Sequence, residues 1–147
     1  MKILFPDEVI FETPNFKIAQ DWEVPISAFF ILSTKRKVNS VEDFTDEEAG
    51  EFGVLLKMVR QGMSRELGCK EVYLFQNEDS VHGFHIWILP RHEWMEKFGR
   101  KVQSVRPILD HASQLTITED LINEVKGTAK KMKIYLEQHN RTISAER

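Results

Sequence analysis

Residues 45–68 carry a helix marked at both ends, and its place in the chain limits the folds open to the rest. Thr45 is a capping residue with Glu48 three positions on, so "TDEE" reads as a capping box. Phe44 precedes the cap and is placed to staple against Ala49. Ala49, Phe52, Leu55, Leu56, Val59 and Met63 recur at helical spacing on one face, and Gly68 supplies the stop. On either side the pattern changes to β. Residues 9–12 and 16–19 are short runs joined by Thr13-Pro14-Asn15, which is turn chemistry and predicts an antiparallel hairpin. Residues 28–33, "AFFILS", read as a buried strand. After the helix, residues 71–77 are β-branched and aromatic, and the turn "EDSVHG" leads into "FHIWILP", closed by Pro90. One helix between three strands and two strands is not a strict βα alternation. The expected class is therefore α+β, with a mainly antiparallel sheet of about five strands packed by that helix.

A chain of 147 residues suits one domain with one core. Its last third adds helices. Residues 104–113 predict a short one with Pro107 in its first turn, and Thr116 with Glu119 offers a second capping box. Leu121, Ile122, Val125, Ala129, Met132 and Leu136 mark an amphipathic helix to about His139, after which "NRTISAER" is expected to fray. No internal repeat or low-complexity segment interrupts this order, β-β-β-α-β-β-α-α.

The charge balance excludes some partners. A net charge of −3 and a pI near 6.0 give no basic footprint for nucleic acid. Lys35-Arg36-Lys37 and Arg100-Lys101 read as solvated loops. No apolar run approaches a membrane span, and "MKILFPDEVIF" is too short in its apolar part for a secretory signal. One cysteine, Cys69, excludes an internal disulfide framework and reads as a small apolar residue; together these features point to a cytoplasmic location. No GxGxxG or GxxxxGK[ST] loop is present.

The chemistry concentrates in "SVHGFHIWILPRH", residues 80–92, which holds three of the five histidines. Residues two apart on a strand share a face, so His85, Trp87 and Leu89 point one way and Phe84, Ile86 and Ile88 the other. The second set is wholly apolar and is expected to lie on the helix of residues 45–67. His85 then sits on the opposite face beside an indole. An imidazole there suits a nucleophile, a base or a ligand; equally, it suits a hydrogen-bonded structural histidine. A metal site is not expected: His82 and His85 are three apart, converge only if the chain bends at Gly83, and have no carboxylate at ligand spacing. A Ser-His-Asp triad lacks its GxSxG elbow.

"SVHGFHIWILPR" resembles the signature strand of the histidine triad (HIT) superfamily, His-φ-His-φ-His-φ-φ with φ apolar, followed in some branches by Pro-Arg. Aligned on Pro90-Arg91, the central histidine falls on His85, the apolar positions on Phe84, Ile86, Ile88 and Leu89, and the hydroxyl five residues before it on Ser80. Upstream, "FILSTKRKVNSVEDFTDEEAGEF" is similar to the family's strand, basic turn and capped helix. The likeness covers about residues 8–92 in element order; 93–140 would be a C-terminal helical extension of the same domain. It implies that His85 Nε2 attacks the α-phosphorus of a nucleotide conjugate and forms a covalent nucleotidyl-histidine, which water or a phosphate acceptor resolves. A backbone carbonyl accepting from Nδ1–H would fix the tautomer. Ser80 would bond a phosphate oxygen, and Asn77 would resemble the family's polar contact to nucleotide or phosphate. Arg91 would pair with phosphate if it faces the site. No cofactor is implied, and the family's dimer suggests a homodimer.

The departures have consequences of their own. Gly83 and Trp87 stand at the first and third histidine positions, and Phe29 at the usual upstream histidine. An indole donates a hydrogen bond but does not titrate usefully, so Trp87 lines the site without replacing an acid. A site short of proton donors favours leaving groups stable as anions, such as the polyphosphate half of diadenosine tetraphosphate, unless His82 swings across at Gly83. Three readings stand at this level: a HIT-type nucleotide hydrolase or transferase, a HIT-fold nucleotide- or phosphate-binding protein without catalysis, and a small metal-binding or scaffolding domain. Trp22, Trp94 and Met95 are large apolar residues in expected loops, where an interface, a site wall or the domain's own core would cover them.

Overall fold

The computed structural model describes residues 3–145, and side chains through residue 139. Strands β1 (Val9–Glu12), β2 (Phe16–Gln20), β3 (Phe30–Thr34), β4 (Val72–Gln76) and β5 (His85–Pro90) form one sheet in the order β1-β2-β3-β5-β4. Each neighbouring pair is antiparallel. With helices α1 (Asp46–Leu67), α2 (Val105–Ser113) and α3 (Glu119–Ala145), the chain is the α+β architecture that the single capped helix predicts.

The caps of α1 form as the sequence requires. The Thr45 side chain accepts from Glu48 N and the Glu48 carboxylate accepts from Thr45 N, while Gly68 closes the helix at φ 67°. Phe44, expected against Ala49, instead packs its ring edge-on against Phe16, Phe52 and Phe84 at 5.0–5.7 Å. β3 starts at Phe30 rather than at Ala28, because Ala28 takes φ 64° and Phe29 N donates to Ile26 O in a turn. The cap of α3 is Thr118, not Thr116: an N-cap hydroxyl reaches the third helical N–H, and Thr118 Oγ1 accepts from Leu121 N. α3 also continues through Ala145, beyond the expected end near His139. No glycine or proline follows Gly127 to stop it.

Alternation along the strands gives the sheet two unlike faces. Phe16 and Ile18 of β2, Phe30 and Leu32 of β3, and Ile88 of β5 share one buried cluster with Leu55, Met58, Val59 and Met63 of α1. α3 completes it with Ala129, Met132 and Leu136. Each fully buried Leu, Ile or Phe there contributes about 1.5–3 kcal/mol relative to exposure. The second face is covered only in part. Leu89, Phe29 and Ile26 pack with Met95 of the turn after β5 and with Ile108 and Ala112 of α2, joined by Trp87, Phe75 and Tyr73. That cover lies over the end of β5 that leads into Pro90. At the other end, where β5 begins at His85, the face is left partly open.

Candidate active site

The open end of the second face holds a hollow of about 210 Å³. Pairing explains its floor. His85 stands opposite Ser33, and Ser33 stands opposite Lys17; one step along, Trp87, Ile31 and Ala19 form the next row. Lys17, Ala19, Ile31, Ser33 and His85 therefore share one face, with Thr34 at the margin and Trp22 and His82 as walls. A lysine, two hydroxyls and two imidazoles on a floor of this size offer only donors or neutral acceptors to an anion the size of a phosphate group.

His85 is oriented from two sides. Its Nδ1 lies 2.8 Å from Gly83 O. A carbonyl oxygen only accepts, so Nδ1 carries the proton and Nε2 keeps its lone pair. The indole of Trp87 packs edge-on against the ring, centroids 4.3 Å apart. Trp87 is itself fixed: it stacks on Phe75 at 5.2 Å, and its Nε1–H donates to Asp21 Oδ1 at 3.2 Å. Asp21 is 7% exposed and also accepts from Glu23 N and Val24 N. Burial pushes the Asp21 carboxyl above its ordinary value, and the three donated hydrogen bonds oppose that rise.

The residues singled out in the sequence separate into two groups. Gly83 takes φ 81°, and this bend puts His82 on the wall of the hollow that His85 lines, where its ring meets Trp22 edge-on at 5.4 Å. Ser80 stands at the turn before it, and its hydroxyl accepts from His82 N, so it shapes the bend without lining the hollow. Trp87 touches His85 from beside. Asn77 is exposed after β4 and is not among the lining residues. Arg91 is a correction. It neither faces the hollow nor projects into solvent: its side chain is 4% exposed at the far end of β5 and bonds Tyr73 Oη, Glu96 and Gly99 O. A guanidinium committed to three acceptors there is a structural tie between β4, β5 and the following turn. His92 is also directed elsewhere, donating from Nε2 to Ser27 O at 2.7 Å.

Sequence reasoning missed Lys17, Ser33 and Thr34. Their signal is alternation within β2 and β3, which becomes usable only when the partner of β5 is known. Trp22, flagged as an apolar residue in an expected loop, turns out to be a wall of the hollow. Among the described residues, no group of three or more His, Cys, Asp or Glu side chains is gathered to hold a metal ion. Cys69 is buried, and burial raises its thiol pKa while nearby Arg60 lowers it; a thiol held protonated is a poor nucleophile.

No protein-family model and no curated protein matches the sequence. Solved structures do match. A zinc-bound histidine triad family protein from Mycobacterium smegmatis superposes with a TM-score of 0.62 at 14% identity, over 93% of this chain and 88% of that one. The diadenosine triphosphate hydrolase of Plasmodium falciparum gives 0.62 at 15% identity, over 89% of this chain and 77% of that one. The NitFhit protein of C. elegans gives 0.58 at 16% identity over 84% of this chain, which spans 27% of that protein's length. The fold defined by the sheet and its helices is thus the histidine triad fold. Within it, this chain keeps the central histidine in register and carries Gly83 and Trp87 where the signature has the other two.

Proposed function

We propose that this protein cleaves the phosphoanhydride of a nucleotide conjugate, with His85 as nucleophile. The observation that carries the reading is the Nδ1 contact to Gly83 O, which leaves the Nε2 lone pair for the hollow lined by Lys17, Ser33 and His82. In the first step Nε2 forms a bond to the α-phosphorus, and the bond to the bridging oxygen breaks, its electron pair leaving with the phosphate or polyphosphate. In the second, water attacks the same phosphorus, the N–P bond breaks with its electron pair returning to Nε2, and one proton of the water passes to solvent, releasing a nucleoside monophosphate and restoring the neutral imidazole. Lys17 offsets the phosphate charge, and Ser33 donates to a non-bridging oxygen. The exposed indole of Trp22 offers a stacking surface for a base. Ser80 supports the site through the bend that carries His82, and Trp87 borders it against His85.

Dinucleoside polyphosphates suit such a site because their leaving groups are stable as anions. A homodimer through edge strand β4, where Leu74 is 49% exposed, belongs to the same reading. No helix among the described residues is long and apolar enough to cross a membrane.

The test is mass spectrometry of the protein after mixing with diadenosine tetraphosphate. An adenylyl adduct on His85, absent from His85→Asn, is the expected result. A second reading, nucleotide or phosphate binding without turnover, is favoured by one observation: Trp87, at the third signature position, is bonded to Asp21 and brings no acid to the site. Saturable nucleotide binding with no adduct and no hydrolysis, unchanged in His85→Asn, selects that reading and removes the first.

A further inference from the structure

A second cavity, of about 390 Å³, lies where the C-terminal helices meet the connection between β2 and β3. We propose that it binds a small organic ammonium ion, a protonated alkyl or arylalkyl amine, independently of the His85 site. Its volume lies in the range of small-molecule pockets. One wall is apolar: Ile26 from the β2–β3 connection, Leu115 after α2 and Leu121 from α3. Trp94 from the turn after β5 adds an indole that stays 38% exposed, and Leu115 stays 37% exposed, although Met95 beside Trp94 is wholly buried in the core. Large apolar groups left open around a concave surface mark a place that something else covers.

Charge decides the occupant. Glu124 is the one carboxylate at this cavity; the other titratable lining residues are His92 and His111, the latter 5.6 Å from the Trp94 ring, and no lysine or arginine lines it. Among the described residues Glu124 has no hydrogen-bond or ion-pair partner, unlike Glu48, Glu71 and Glu96, which are all held by arginines. The Nε2–H of His92 is committed to Ser27 O. A carboxylate and an exposed indole lining one cavity attract a cation twice, by Coulomb attraction and by the negative face of the ring. A phosphate or carboxylate ligand would meet Glu124 as a like charge. The cavity is thus opposite in sign preference to the hollow at His85, where Lys17 is the charged group. It also depends on α2, α3 and the turn after β5, which lie outside the signature strand.

The test is an amide and indole NMR titration of the full chain with 2-phenylethylammonium, with 3-phenylpropionate as the anion of similar shape. The Trp94 indole signal is assigned by its loss in Trp94→Phe. The expected result is a saturable shift of that signal and of the Glu124 amide with the amine only. In Glu124→Gln the affinity should fall by about three- to fivefold, the worth of an exposed ion pair. His85→Ala should leave amine binding unchanged. Absence of saturation, equal affinity for the phenylpropionate, unchanged affinity in Glu124→Gln, or loss of binding in His85→Ala each overturns the proposal. None of these outcomes depends on whether His85 forms an adduct with a nucleotide.

Discussion

The carbonyl of Gly83 holds the ring of His85 by its Nδ1, 2.8 Å away, so the residue that turns the chain also sets the orientation of the imidazole. Gly83 adopts φ 81°, and a Cβ there would stand 3.2 Å from the backbone oxygen of Val38. Gly83→Ala is therefore strained and crowded against backbone that cannot swing aside. It should cost about 1–3 kcal/mol in urea unfolding. Nitrogen NMR shifts of His85 should lose the Nδ1–H tautomer preference in the same variant. A variant as stable as the parent, with the same tautomer, contradicts the coupling.

Asp21 acts one residue further out. It accepts from Trp87 Nε1 and from the amides of Glu23 and Val24, and Trp87 in turn packs on His85. Asp21→Ala leaves buried donors without acceptors, at a cost of about 1–3 kcal/mol. Asp21→Asn keeps one oxygen as an acceptor and should lose less. Thermal unfolding of the two variants side by side gives the order, and an Asn variant no better than the Ala variant would count against these bonds.

These contacts mark where the sequence was legible and where it was not. The α1 caps, the hairpin of residues 9–12 and 16–19 and the two faces of the His85 strand follow from local chemistry, and each formed, with β2 one residue longer, to Gln20. The resemblance placed His85 and suggested the carbonyl at Nδ1. The rest depends on pairing. Ser33 and Lys17 meet His85 only because β3 lies between β2 and β5, and a sequence alone does not state strand order. The surroundings of Arg91 were out of reach for a related reason: its acceptors, Tyr73 and Gly99, lie 18 and 8 residues away in the chain. The bonds of Trp87 to Asp21, 66 residues distant, were equally out of reach.

Glu48 gives a pH prediction with a defined sign. Hydrogen bonds from Arg36, and from Thr45 N at the helix cap, hold its carboxyl at about 2, below the ordinary 4.5. The folded state therefore prefers the ionised form more than the unfolded chain does. That stabilisation is fully present above pH 4.5 and is lost as the pH falls from 4.5 towards about 2. Glu48→Gln should lower stability at pH 7, and its difference from the parent should shrink steadily over that acid window. A difference that stays constant from pH 6 to pH 2 would show that the carboxylate charge contributes nothing.

Besides His85, His82 is the histidine at the hollow that can carry a proton to a leaving atom, since Gly83 and Trp87, at the other two signature positions, supply none. A polyphosphate leaves as a stable anion, whereas the amine of a nucleoside phosphoramidate leaves only when protonated. General acid assistance is worth roughly 10²–10⁴-fold. If His82 gives that proton, His82→Ala should lower phosphoramidate turnover by about 10²-fold or more, while diadenosine tetraphosphate turnover changes only a few-fold. The ratio of kcat/KM for the two substrates is the measurement, because a general loss of site shape lowers both alike. Equal losses would make His82 only the partner of Trp22 in the wall, with no part in protonating the leaving group.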